Sequence, residues 1–372
     1  MSHTLFSPIK VGAIQCANRV FMAPLTRCRA EAGTDAPHPL NAMYYRQRSS
    51  AGLIISEATQ VSPQGKGYAG TPGIYSPAQQ AGWHLVTDAV HRARGRIVAQ
   101  LWHVGAVSHP DLQAGGLLPV SPSGVNLGGT VHTQNGKQPR VAPRPLETLE
   151  IPGIVASFRH SALVAQRAGF DGVEIHGANG YLLEQFLRDS TNQRTDQYGG
   201  SLPNRLRFVL EIVDSVIDVF GKDRVGIRLS PVSLGNNIPQ DSNPQATYGL
   251  LIDALAERGI AFLHMIEGDT GRERTLSGFD FARARHAFPG TYIGNNRYDR
   301  QMAIEAVSSG AADAIAFGVP FIANPDLPRR LRLDTPLNLA NVKTYYGPGP
   351  AGYTDYPSLD EGPRGAADDG EG

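Results

Sequence analysis

Eight short apolar runs, helix-patterned segments between most of them, and the absence of a dividing linker predict a single (β/α)8 barrel. The runs are 20–25 (VFMAPL), 52–61 (GLIISEATQV), 97–104 (IVAQLWHV) and 172–178 (GVEIHGA). They continue with 225–231 (VGIRLSP), 261–268 (AFLHMIEG), 291–295 (TYIGN) and 314–319 (AIAFGV). Continuous apolar stretches of about four to eight residues indicate strands buried on both faces, as in a parallel sheet. Between them, 203–220 carries Leu206, Val209, Leu210, Val213 and Ile217 at helical spacing. Segment 299–309 carries Met302, Ile304, Ala306 and Val307 ahead of Gly310, a helix stop. Eight such units favour a barrel over a doubly wound sheet.

A barrel needs about 250 residues, and the chain has 372. Much of the surplus is 105–152, rich in Gly, Pro and Ser, which is expected as a structureless lid-like insertion after the third strand. Residues 1–356 are expected to form the barrel domain, and 357–372 a disordered acidic tail.

Hydrophobic residues make up 41% and charged residues 18%, which suits a globular chain with a sizeable core. With formal net charge zero, neither nucleic acid nor an anionic membrane is an expected partner. Two cysteines, Cys16 and Cys28, are not a disulfide framework. The start has no apolar signal region, and nowhere do 18 apolar residues run together, so a cytoplasmic protein is expected.

In such barrels reactive groups gather where strands end and βα loops begin. Here the first strand ends in Pro24-Leu25-Thr26-Arg27, and the second contains Glu57-Ala58-Thr59. The third ends with Gln100, Trp102 and His103, and the fourth with His176, Asn179 and Tyr181. The fifth ends at Arg228, the sixth at His264 and Glu267, the seventh at Gly294-Asn295, the eighth at Gly318. Polar groups thus interrupt every apolar run on the same side, which marks a ligand site. No histidines fall at metal-ligand spacing, and no G-x-S-x-G turn is present, so neither a metal site nor a serine nucleophile is expected. The donors Thr26, Gln100, His176, Asn179 and Arg228 suit a planar, acceptor-rich ligand. The glycines ending the last two strands fall where barrels bind phosphate through backbone N–H groups. GPGPAG at 347–352 matches G-x-G-x-x-G, but it carries two prolines, follows no strand and opens no helix, so it is not a dinucleotide fingerprint.

The chain resembles the old yellow enzyme family, flavin-dependent ene-reductases on a (β/α)8 barrel. The resemblance runs through NRVFMAPLTRCRA, SEATQVSPQGKGYAGTPGIYS, QLWHVG, HGANGYLLEQFLRDSTNQRTDQYGGSLPNR, FGVPFIANPDLPRRL and GYTDYP, covering nearly everything to about residue 357. It implies non-covalent FMN across the barrel mouth, reduced by NAD(P)H. Thr26 would donate to the O4 region, and Gln100 and the backbone of Pro24, Leu25 and Ala58 would bond the pyrimidine edge. Arg228 would place positive charge by N1 and O2, and the backbone of Gly294, Asn295, Asn296, Gly318 and Val319 would hold the phosphate. His176 and Asn179 match the donor pair that grips the activating oxygen of an alkene. Tyr181 matches the proton donor to the α-carbon, and Tyr68, Trp102 and Tyr353 match substrate-pocket aromatics. The implied substrates are small activated alkenes (enones, enals, nitroalkenes, maleimides), and a monomer or weak homodimer is expected. Nitro compounds, nitrate esters or quinones, and a non-catalytic ligand-binding barrel, are the alternatives.

Three departures stand out. Val319 follows Gly318 where most members have Arg at the phosphate, and Asn296 replaces a second glycine. Ala106 replaces an Arg common after HVG. The adjacent Arg297 is expected near the phosphate, restoring the missing charge.

Overall fold

The computed structural model describes residues 4–276 and 278–360. Eight strands close a barrel in chain order: β1 (Val20–Met22), β2 (Ile54–Gln60), β3 (Ile97–Trp102), β4 (Gly172–Gly177), β5 (Val225–Leu229), β6 (Phe262–Ile266), β7 (Thr291–Asn295) and β8 (Ala314–Phe317). Every neighbouring pair is parallel, and β8 pairs back onto β1. The outer helices are α1 (Pro39–Gln47), α2 (Pro77–Arg92), α3 (Ile151–Arg167) and α4 (Leu202–Phe220). They continue with α5 (Pro244–Arg258), α6 (Phe281–Ala287), α7 (Arg300–Ser309) and α8 (Leu327–Leu333).

The two helices read from periodicity lie where expected. On α4, Leu206, Val209 and Val213 are buried. On α7, the Asp299 carboxylate accepts the Met302 N–H at 2.8 Å, and Gly310 ends the helix at φ 80°. Strand β1 is shorter than its apolar run because Pro24 has no N–H to continue the ladder. On β2 the register slips between Ile55 and Ala58, where three residues span two of β3.

The barrel interior is apolar below and polar above. Phe21, Val98, Phe262, Ile293 and Ala314 fill its lower part. An N-terminal hairpin, Ile9–Val11 with Ile14–Cys16, packs Val11 and Ile14 into this cluster. Gly12 at its turn has φ 55°, and a Cβ there would lie 2.0 Å from the Asp223 carbonyl oxygen. The larger core lies between strands and helices.

Two expectations need correction. Insertion 105–152 is not structureless: Val120–Ser121 pairs with Arg144–Pro145, and Thr130–Thr133 pairs with Gly136–Pro139 as an antiparallel hairpin. Val131 of that hairpin packs with Trp102, Tyr68 and Tyr181, so burial of one face orders the segment. The tail expected from 357 starts anchored. The Pro357 carbonyl accepts from Arg330 and Asn338, and the Leu359 N–H donates to Asp326. Residues 361–372 lie outside the described residues.

Candidate active site

Residues of β4 and β5 form the centre of the upper rim, with His176 opposite Arg228 in the ladder and Arg228 opposite His264 on β6. His176 is buried, and burial, with Arg228 and His264 adding to it, holds its imidazole well below its usual pKa. It is therefore neutral. The Ala178 N–H donates to His176 Nδ1 at 3.3 Å, which leaves the ring proton on Nε2. Asn179 sits in the left-handed region at φ 59°, a conformation Asn tolerates better than most residues. Its side-chain oxygen accepts from the Thr270 hydroxyl at 2.7 Å, so its NH2 is the end left to donate.

The turn carrying these groups is held from beneath. The Asn179 N–H donates to Ser230 Oγ at 2.9 Å, and the Gly180 N–H donates to Glu184 at 2.6 Å. The Ser230 and Tyr248 hydroxyls donate to the same carboxylate at 2.8–3.0 Å. Gly180 is required here: φ is 76°, and a Cβ would meet the Gly235 carbonyl at 2.5 Å. The Asn236 side chain donates to the Asn179 carbonyl at 2.8 Å and accepts from Arg140 of the insertion at 2.6 Å.

The Tyr181 ring packs edge-on against Trp102 and His176, at centroid distances of 5.0 and 5.1 Å. Its hydroxyl is 3.2 Å from that of Tyr68. Burial raises the Tyr181 pKa, so the phenol stays protonated at neutral pH. Tyr181 opens onto a cavity of about 660 Å³ whose other walls include Thr26, Cys28, Tyr68, His132 and Tyr346. Burial pushes the Cys28 thiol up to about 12, which keeps it unreactive toward electrophiles in that cavity.

Two predicted pocket aromatics are placed differently. Tyr353 is fully buried away from the cavity. It stacks on Tyr44 at 4.1 Å and lies within cation–π range of Arg27 and Arg29. Its hydroxyl accepts from Asn41, so it serves to clamp the C-terminal segment onto the barrel. Trp102 is also fully buried and backs the wall, stacked behind Tyr68 at 5.9 Å. The cavity tyrosine missed in the sequence is Tyr346. Its neighbours Gly347 and Pro348, part of the rejected glycine motif, are on the cavity rim. The signal was an aromatic pair followed directly by a stiff Gly-Pro turn.

Arg228 is buried; its Nη2 donates to Asn295 at 2.7 Å, and its Nε has no partner among the described residues. Burial lowers its pKa to about 10, which leaves it cationic at neutral pH. Gln100 donates through Nε2 to Glu174 at 2.7 Å, leaving its carbonyl oxygen free to accept. Pro24, Leu25 and Thr26 are half-buried on the β1 loop, and Ala58 is buried beside Gln100 in the ladder. Ala106 is buried with its N–H on Gln185, so the Arg it replaces has no counterpart facing the cavity.

The ends of β7 and β8 lie side by side. Asn296 takes the left-handed conformation at φ 106° by turning its side chain away. Its amide donates to the Glu267 and Asp269 carbonyls and accepts from the Gly271 N–H. The N–H groups of Asn296, Arg297, Gly318 and Val319 have no hydrogen-bond partner among the described residues. Val319 is 53% exposed and leaves this edge open. Arg297 follows Asn296 directly; it is exposed and makes no hydrogen bond or ion pair among the described residues, so its guanidinium is not committed to another protein group. A row of free N–H groups, an orphaned buried guanidinium nitrogen and an open amide oxygen fit the phosphate and pyrimidine edge of FMN.

The NADH:flavin oxidoreductase / NADH oxidase family matches residues 4–338. A rice (Oryza sativa subsp. japonica) protein, 12-oxophytodienoate reductase 1, is 45% identical over 369 residues, spanning 96% of this chain and 93% of that one. Morphinone reductase in complex with tetrahydroNAD superposes with a TM-score of 0.92 at 48% identity, covering 97% and 99% of the two chains. An old yellow enzyme homologue from Zymomonas mobilis gives 0.90 at 43% identity, covering 95% and 99%. This chain belongs to the old yellow enzyme family and is an FMN-dependent ene-reductase, an oxidoreductase acting on the C=C bonds of activated alkenes.

Proposed function

We propose that His176 and Asn179 grip the activating oxygen of the alkene while Tyr181 protonates its α-carbon. The observation that carries this reading is that the two side chains with a free N–H and the protonated phenol share one braced turn. When bound, FMN would supply the two-electron hydride chemistry that links NAD(P)H to the alkene. Thr26, Gln100, Arg228 and the backbone N–H groups at the ends of β7 and β8 would hold it. Arg228 contributes a fixed cation where negative charge collects on reduction. His176 and Asn179 present two neutral donors to an oxygen that becomes anionic, in a site where burial strengthens each bond. Tyr181 meanwhile presents its proton beside them, with the Tyr68 hydroxyl placed to stabilise the oxygen left behind.

A proton donor aimed at carbon favours alkene reduction over nitrate-ester or quinone reduction, neither of which needs a proton on carbon. Keto substrates are supported by the names of the relatives, a 12-oxophytodienoate reductase and a morphinone reductase. Hydride donation by a nicotinamide coenzyme is supported by the tetrahydroNAD complex of morphinone reductase. No helix among the described residues is long and apolar enough to cross a membrane. Both cysteines are free thiols, which supports a cytoplasmic location, and the neutral net charge supports an enzyme without nucleic-acid or membrane partners. A monomer or weak homodimer is part of this reading.

The test is anaerobic. The purified protein is expected to be yellow, to bleach with NADPH or NADH, and to recover its colour on adding a cyclic enone. A colourless protein that takes up no FMN, or a bleached one that enones do not reoxidise, would count against it.

A further inference from the structure

Two of the barrel's buried polar side chains, Glu174 and His264, have no part in the chemistry above, and both are completely inaccessible. Glu174 precedes His176 by two residues on β4, so it points into the same interior about 6–7 Å lower. One of its oxygens takes the Gln100 Nε2–H at 2.7 Å, and the other lies 2.7 Å from His264 Nδ1. Burial lowers the pKa of His264, so the ring is neutral. With its proton on Nδ1 toward Glu174, its Nε2 is bare, and Nε2 is the ring atom without a partner. The carboxylate is therefore hydrogen-bonded but not neutralised by His264. The cation whose charge couples to it is Arg228. Gly226, opposite Glu174 in the ladder, makes room for the Phe262 ring, which a Cβ there would meet at 2.2 Å.

A buried carboxylate in a barrel core is costly unless something needs it. We propose that Glu174 is a positioning residue for the flavin site. It fixes the Gln100 amide with its oxygen outward, and its negative charge offsets Arg228 to set how readily the flavin is reduced. This rests on the reading that Gln100 and Arg228 contact the flavin. An amide free to flip would present NH2 to the N–H edge of the pyrimidine half the time; the bond to Glu174 prevents that. A flavin gains negative charge on reduction, so an anion one layer beneath it disfavours the reduced form and partly cancels the pull of Arg228.

Two substitutions separate the roles. In E174Q the side chain keeps its length and can still accept from Gln100, but the charge is gone. The expected result is a midpoint potential shifted upward, with reduced FMN favoured over oxidised FMN about tenfold more than in the wild type, or about 30 mV for a two-electron couple. In E174D the charge remains but the carboxylate no longer reaches Gln100. The expected result is FMN binding about tenfold weaker, the loss of one hydrogen bond, at an unchanged potential. FMN affinity is read by fluorescence titration of the apoprotein, and the potential by a dye-coupled anaerobic titration. An E174Q protein at the wild-type potential, or an E174D protein binding FMN as tightly as wild type, overturns the proposal. Should E174Q fail to fold, E174D alone decides it. Gln100→Leu distinguishes the two levels. Wild-type FMN affinity in that variant would sink the placement of Gln100 at the flavin and this proposal with it. Weakened affinity there, together with an unshifted E174Q potential, would overturn this proposal and leave the placement standing.

Discussion

Alanine at His176 or at Asn179 slows alkene reduction about 10²–10³-fold, the effect of losing one donor, about 2.7–4 kcal/mol, to a developing oxyanion. Each has one nitrogen left to donate, because the other polar atom is already engaged: His176 Nδ1 by the Ala178 N–H, and Asn179 Oδ1 by the Thr270 hydroxyl. The loss should appear in reoxidation of the reduced enzyme by an enone, measured by stopped flow at fixed FMN content. Because burial and the nearby Arg228 hold the His176 pKa well below its usual value, its donor stays neutral from acidic to alkaline working pH. The fold-loss for the His176 variant should therefore be flat across that range. A loss that grows as pH falls through about 6.5 would mean that the imidazolium, and not the neutral ring, acts on the substrate.

Glu184→Ala is expected to cost about 3–5 kcal/mol of stability, the consequence of leaving a buried charge unpaired. Glu184 and Arg188 are both fully inaccessible and 2.7 Å apart. Arg188 also donates to the Ser230, Ser233 and Pro239 carbonyls, so its cation cannot escape to solvent when the partner goes. Glu184 in turn carries the Gly180 N–H, and through Ser230 the Asn179 N–H. The same substitution should therefore lower both the melting temperature, by roughly 5–15 °C, and the rate of alkene reduction. The double variant Glu184→Leu with Arg188→Met removes both charges and should be less destabilised than the sum of its single changes, measured by denaturant unfolding. Strict additivity would show that the pair is not coupled.

The barrel was legible because strands covered on both faces read as unbroken apolar runs, and the rim because polar residues interrupt those runs at one end. His176, Asn179 and Tyr181 could be placed together since one turn carries all three. What could not be read depends on residues far away in sequence. Tyr353 looks like a loop aromatic, and only Tyr44, Arg27 and Arg29 make it a structural clamp. Glu174 and Glu184 read as ordinary strand and helix positions, and their burial depends on partners on other elements, such as His264 and Tyr248. The inward turn of Asn296 could not be read either, because its partners are the Glu267 and Asp269 carbonyls on another loop. The hairpin in the insertion did carry a local signal, Asn135-Gly136, with Gly136 at φ 89°. It was obscured by the polar composition of its strands.

The division of labour on the β4 turn is tested most directly by Tyr181→Phe, followed in separate half-reactions. The ring keeps its packing against Trp102 and His176, and only the hydroxyl and its contact with Tyr68 are lost. Reduction of the flavin by NAD(P)H should stay within about twofold of wild type, while reoxidation by an enone should slow by about 10²-fold or more, the usual contribution of a general acid. Equal slowing of both steps, or reoxidation at the wild-type rate, would contradict the account.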